Sequence, residues 1–221
     1  MLPARNEAAR LGPVLASIPV GIDGCAEVTE IVVDDGSDDA TEHVATAAGA
    51  SVIRHAISLG KGAALRTGCD LALEHGCDLI AVMDADGQHR AEDIPALVRP
   101  LAAGEADLAL TYRSFAGDMP AAMRLGNWGL SHAFAGLFGA RFRDTQCGLR
   151  AFTADAYRCL RWRSSDYSVE TEMLTRAARL GLRVVEVPIE TVYHDRYKGT
   201  TIADGIRILA NMLRWRLAYV R

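Results

Sequence analysis

The chain has 221 residues and carries 24 lysines and arginines against 28 aspartates and glutamates, so its net charge of −4 gives no overall attraction to nucleic acid. Half of the residues are hydrophobic and the mean hydropathy is +0.07, which suits a buried core and excludes a disordered chain. The length fits one large domain and excludes a string of small modules.

Met1-Leu2-Pro3 runs almost directly into helical periodicity at 7–17, so the first strand of a sheet is expected to be truncated to two or three residues. Apolar, β-branched runs follow at 31–33, 51–53, 79–83 and 108–111. Between them, helices are predicted over 39–48, 61–75 and 92–103, opening near Asp, Glu, Ser or Gly and stopping at Gly or Pro. This alternation predicts βαβ units and an α/β fold with a mostly parallel central sheet flanked by helices. After Tyr112 the spacing predicts a long helix over 120–139, a strand at 149–152, a helix over 169–180, strands at 183–187 and 189–193, and a C-terminal helix. A single domain over 1–201 followed by an amphipathic, basic helix over 202–221 is the expected organisation. Five scattered cysteines without CxxC spacing point to a reducing, cytoplasmic setting. No uncharged run reaches the ~18–20 residues that cross a bilayer.

Two strand ends carry paired acids. Leu79-Ile80-Ala81-Val82-Met83 runs into Asp84-Ala85-Asp86-Gly87-Gln88-His89, and Ile31-Val32-Val33 runs into Asp34-Asp35-Gly36-Ser37. Ligands of open α/β sheets bind at the carboxyl ends of the strands. Asp84 and Asp86, two residues apart, point the same way in extended chain and can share a cation. With the Gln88 amide oxygen they make a hard oxygen set suited to Mg²⁺ or Mn²⁺; the alternative is an acidic turn starting the next helix. Asp34 or Asp35 can accept hydrogen bonds from a base or ribose, or can cap the helix after it. Gly60-Lys61-Gly62 opens a helix where a lysine can meet an anion, but it lacks P-loop spacing. There is no GxGxxG, which disfavours a dinucleotide dehydrogenase.

Pro3-Ala4-Arg5-Asn6-Glu7, Val32-Val33-Asp34-Asp35-Gly36-Ser37 and Asp84-Ala85-Asp86-Gly87-Gln88-His89 together resemble the inverting family 2 glycosyltransferases. The nearest likeness is to the dolichyl- or polyprenyl-phosphate mannosyl- and glucosyltransferases. It extends through Tyr112-Arg113, Arg124-Leu125-Gly126-Asn127, the segment from Asp144 to Phe152, and Glu186-Val187-Pro188. The resemblance implies a GT-A fold, Mg²⁺ or Mn²⁺, and hexose transfer from a GDP- or UDP-sugar to a polyprenyl phosphate at the cytoplasmic face of a membrane. It implies that Pro3, Ala4, Arg5, Glu7, Val33 and Asp35 line the nucleoside pocket, with Lys61 and Ala85 also at the nucleotide-sugar. Asp84, Asp86 and Gln88 would hold the metal, and Asp86, Arg113 and Arg124 would carry catalysis. Arg113, Arg124 and Asn127 would meet the acceptor phosphate, and Arg113 and Arg196 the donor. Glu170 and Glu172 resemble the acidic position that serves as base in relatives with hydroxyl acceptors. One departure is Ile202, where the family pattern after Arg196 has a lysine; either Lys198 substitutes or that charge is absent.

The C-terminal helix places Ile202, Ile206, Leu209, Leu213, Leu217 and Val220 at helical spacing with Arg207, Arg214, Arg216 and Arg221 beside them, a pattern of interfacial helices and also of ordinary core helices. The uncharged segment 126–140, with Trp128 and Phe134, offers a second membrane contact. Three rival readings are a family 2 transferase with a soluble acceptor, a catalytically silent nucleotide-sugar-binding module, and a nucleotidyltransferase. The last needs a basic, Gly-rich loop that residues 3–11 do not provide.

Overall fold

The computed structural model describes residues 1–113, 121–190 and 201–218. Its strands are β1 (Leu2–Ala4), β2 (Ile31–Asp34), β3 (Ser51–Arg54), β4 (Leu79–Val82), β5 (Leu108–Arg113), β6 (Arg150–Thr153) and β7 (Val184–Ile189). Its helices are α1 (Ala8–Ala16), α2 (Thr41–Ala47), α3 (Lys61–Glu74), α4 (Ile94–Ala102), α5 (Ala121–Phe138), α6 (Ala154–Leu160), α7 (Val169–Leu180) and α8 (Ile202–Ala218).

Strands β1, β2 and β3 form one parallel sheet in that order, and β4, β6, β5 and β7 form another in which β6 runs against both of its neighbours. Met1 joins the two. Its nitrogen donates to Ala81 O (2.9 Å), and its carbonyl accepts from Met83 N (3.1 Å), the bonding pattern of a parallel ladder. The result is a continuous order β3-β2-β1-β4-β6-β5-β7, with β6 the only antiparallel strand among the described residues. Chain direction across the sheet reverses between β1 and β4, which makes their carboxyl ends the switch point where an α/β sheet opens a ligand crevice.

Each face of the sheet carries its own core. Leu11, Val14 and Leu15 of α1 and Leu97, Val98 and Leu101 of α4 cover one side. Leu65 and Cys69 of α3, Phe134 of α5, Tyr157 of α6, Leu174 of α7 and Met212 of α8 cover the other. The expected strands at 183–187 and 189–193 are corrected in part: β7 is one strand that passes through Pro188 and ends at Ile189. Among the described strands it lies at the sheet edge, where a residue without an N–H is tolerated. Residues 191–193 lie outside the described residues. Helix α6, which the sequence analysis did not anticipate, starts at a Thr153 cap whose side chain accepts from Ala156 N (3.1 Å).

Candidate active site

The tip of β4 holds Asp84 and Asp86 on either side of buried Ala85. Lys61 Nζ reaches Asp84 Oδ1 (2.7 Å) and Oδ2 (3.0 Å) and Glu170 Oε1 on α7 (2.7 Å). Close packing of the start of α3 on the 162–166 loop puts the lysine there. Gly62 N donates to Ser165 O (2.8 Å), Trp162 Nε1 donates to Gly62 O (2.8 Å), and a Cβ at residue 60 or 62 would collide with the carbonyls of that loop. Gly60 also has φ +94°, open to glycine at little cost. Glu172 holds the loop from behind, accepting from Arg163 N (2.9 Å), Ser164 N (2.7 Å), Ser164 Oγ (2.6 Å) and Arg176 Nε (2.9 Å). Of the two acids flagged on α7, Glu170 faces the carboxylate cluster and Glu172 is engaged in supporting it.

The charges in this cluster are strongly coupled. Burial works against the Lys61 ammonium, yet the carboxylates of Asp84 and Glu170 outweigh it and push its pKa upward. Burial likewise works against charged Asp84, and Lys61 outweighs it, holding that carboxyl below the usual range. Asp86 goes the other way: burial first, and then the Asp84 charge, push it up. Its Oδ1 accepts from Gln88 N at 3.0 Å. Glu170 Oε2 and His89 Nδ1 are buried atoms with no hydrogen-bond partner.

These residues fit a divalent cation. Two adjacent carboxylates, one of them destabilised in its charged form by burial and by its neighbour, are relieved by a cation between them. Among the described residues no three His, Cys, Asp or Glu side chains form a metal cage. Mg²⁺ or Mn²⁺ needs only one or two protein carboxylates when phosphate oxygens and water complete the shell. Gly148 completes the fit, since a Cβ there would collide with Asp84 Oδ2.

Arg113, at the end of β5, is held by Asp144 through Nε (2.6 Å) and Nη2 (3.1 Å), a paired geometry typical of guanidinium and carboxylate. Sequence reasoning assigned Asp144 no role, and its partner lies 31 residues away. Arg150, 1% exposed, donates to the carbonyls of Cys147 (2.8 Å), Glu170 (2.9 Å) and Thr145 (2.8 Å), tying the 145–150 loop to the start of α7. Nothing local in the sequence distinguishes this arginine from a surface one. Arg124 is exposed on α5 with Asn127 one turn on, and neither joins the hydrogen bonds or ion pairs of the cluster made by Asp84, Lys61, Glu170, Arg113 and Asp144. Arg196 and Lys198 lie outside the described residues.

The tip of β2 is built differently. Asp35 accepts from His55 Nδ1 (2.7 Å), Ser58 Oγ (2.7 Å), Leu59 N (2.8 Å) and Gly60 N (2.9 Å), so both of its oxygens organise the loop that leads to Lys61. Burial opposes its charge, but these donors prevail and lower its pKa. Pro3 and Ala4 pair with Val33 and Asp34, and Ala4 O accepts from Asp35 N (2.8 Å). Val33 is fully buried in the sheet. Arg5 is exposed, while Glu7 is largely buried beside Thr41, whose hydroxyl accepts from Glu7 N (2.9 Å).

The model of the family described as glycosyl transferase family 2 matches residues 1–164. The chain belongs to that family. It is 31% identical to an undecaprenyl-phosphate mannosyltransferase of Micrococcus luteus, over 99% of this chain and 93% of that one. To a UDP-N-acetylglucosamine–dolichyl-phosphate N-acetylglucosaminyltransferase of Methanococcus voltae it is 32% identical, over 76% and 70%. Among solved structures it is similar to glucosyl-3-phosphoglycerate synthase of Mycobacterium tuberculosis in complex with Mn²⁺, uridine diphosphate and glucosyl-3-phosphoglycerate. There the TM-score is 0.77 at 25% identity, covering 98% of this chain and 78% of that one. The same synthase has also been solved with Mg²⁺ and uridine diphosphate. The family 2 chain described here is therefore a glycosyltransferase of GT-A fold, as its motifs imply.

Proposed function

We propose that this glycosyltransferase moves one hexose, mannose or glucose, from a GDP- or UDP-sugar to a polyprenyl or dolichyl phosphate, with inversion, at the cytoplasmic face of a membrane. The observation that carries the reading is the Asp84–Asp86 pair at the switch-point crevice, with Lys61 and Glu170 closing round it. Asp84, Asp86 and Gln88 would hold Mg²⁺ or Mn²⁺, which would supply Lewis-acid neutralisation of the charge on a departing diphosphate.

The chain's own residues account for the remainder. A phosphate monoester has its second pKa near ~6, so the acceptor is largely a dianion at neutral pH and needs no strong general base. That agrees with Glu172 being engaged by backbone donors and with Glu170 being paired to Lys61. Arg113, oriented by Asp144, is the guanidinium assigned to the incoming phosphate, and Arg124 and Asn127 on α5 are assigned as a second contact that acceptor binding would have to bring in. Lys61 adds a cation beside the diphosphate position, and buried Arg150 adds another behind Asp84 and Asp144.

Membrane contact is supported by an apolar stripe that the fold leaves outside. Ile206, Leu209, Leu213 and Leu217 of α8 are 66%, 40%, 48% and 74% exposed, while Ile208 and Met212 on the opposite side are buried. Leu125 and Trp128 of α5, which packs against α8, are exposed as well. No helix among the described residues is long and apolar enough to cross a membrane. A stripe flanked by arginines suits a helix lying in the interface.

The test is incubation with Mn²⁺, polyprenyl phosphate and a panel of GDP- and UDP-hexoses. Sugar should appear in the organic-extractable product, and Asp86→Ala should lower turnover by about 10²–10³-fold. Turnover unaffected by that substitution would remove the metal assignment. Likeness to a synthase named for a soluble phosphate product favours a soluble acceptor as the second reading; water-soluble product in the same assay would establish it.

A further inference from the structure

A second cavity lies on the far side of the loop that seats Lys61. It measures about 760 Å³ and sits between α7 and α8 with Ser164 and Glu172 on its wall. Arg163, Arg176, Arg179 and Arg214 line it, and Glu172 is the only acid among the described residues of that lining. The Glu172 carboxylate is itself engaged by Arg163 N, Ser164 and Arg176, so arginines outnumber acids in the described lining. Leu180, 52% exposed, and Trp215 add apolar surface.

The position of the cavity identifies its occupant. Arg214 and Ala218 on its rim directly follow Leu213 and Leu217 of the exposed stripe, so rim and stripe lie side by side on α8, about 100° apart round the helix. An anion bound here would have its head among guanidinium groups and a hydrocarbon surface alongside. A free phosphate has no use for that surface, whereas a phospholipid uses both. We propose that this cavity binds the phosphate headgroup of an anionic phospholipid, with the acyl chains running along Leu213 and Leu217. The site rests on the membrane reading above. It is separate from the acceptor cleft, because Glu170 and Lys61 face that cleft and Glu172 backs onto this cavity. Guanidinium groups suit a phosphodiester, since they stay charged and grip oxygens in pairs.

The experiment is flotation of the full chain with phosphatidylcholine vesicles, with and without about one-third phosphatidylglycerol. Arg179→Gln/Arg214→Gln is compared with Arg207→Gln/Arg216→Gln, which removes two charges from the same helix region outside the cavity, and thermal melts check that both are folded. The cavity pair is expected to lose about tenfold more binding to anionic vesicles than the control pair, because general attraction acts on both pairs alike. Equal losses, or wild-type binding by the cavity pair, overturn the site and leave the membrane reading standing. Flotation of the wild type with neither vesicle overturns both. Saturable quenching of Trp215 by inorganic phosphate alone, absent in Trp215→Phe and as tight as vesicle binding, reassigns the cavity to a soluble anion and also overturns the lipid site.

Discussion

The tips of β2 and β4 read alike along the chain, each an apolar run ending in acids, yet the fold gives them opposite surroundings. At β2, four donors from residues 55–60 converge on Asp35 and make its charge comfortable. At β4, Asp84 shares Lys61 with Glu170, and Asp86 is left with a charge that its surroundings disfavour. A satisfied carboxylate holds structure together. A carboxylate whose charge is disfavoured, facing a crevice, is a candidate for binding a cation, as the proposed function requires of Asp86.

That contrast can be broken or sharpened by substitution. The largest effect on stability is expected from Lys61→Met, which leaves Asp84 and Glu170 as unpaired, largely buried charges. The cost should be about 3 kcal/mol, or roughly 6–12 °C in a thermal melt. Next is Asp35→Asn, which turns an amide toward the N–H groups of Leu59 and Gly60 and should cost about 2 kcal/mol. The pH dependence of that loss has a definite sign. The folded pKa of Asp35 is lowered, so its stabilisation is complete above the ordinary carboxylate value near ~3.9 and disappears as pH falls through the lowered one. Melts of wild type and variant from neutral to strongly acidic pH should therefore converge at the acid end; a constant gap would contradict the charge-based account. The smallest effect is the opposite one at β4. Asp86→Asn should raise the metal-free melting temperature by a few degrees, about 1 kcal/mol, because it removes a disfavoured charge. Mn²⁺ should then stabilise the wild type and not the variant; a variant that melts lower than wild type without metal would remove the contrast between the two tips.

Much of the fold could be read locally. Strands at 31–33, 51–53, 79–83 and 108–111 and the helix at 169–180 lie where period and punctuation placed them, because an apolar face recurs at fixed spacing when one side of an element is buried. The short first strand was legible too, from the three residues before the helix begins. The separate strands expected at 183–187 and 189–193 proved continuous through Pro188 as far as Ile189, because an edge strand tolerates a proline that a central strand would not. Within the site, the paired acids and Gly60-Lys61-Gly62 could be recognised as candidates, but their roles could not. Lys61 and Asp84 are 23 residues apart, Arg113 and Asp144 31, and Trp162 and Gly62 100.

The sequence alone determined the α/β class and the family, and it marked two acid-bearing strand tips, since these are carried by residue types within a few positions of one another. Only the tertiary structure decided that Asp35 organises the loop before α3, that Lys61 pairs with Glu170 and not Glu172, that Arg113 is oriented by Asp144, and that an arginine-lined cavity lies beside the apolar stripe of α8. Those outcomes depend on which donor reaches which oxygen. Burial and hydrogen bonding from distant segments set that, and they set the energy of each charge.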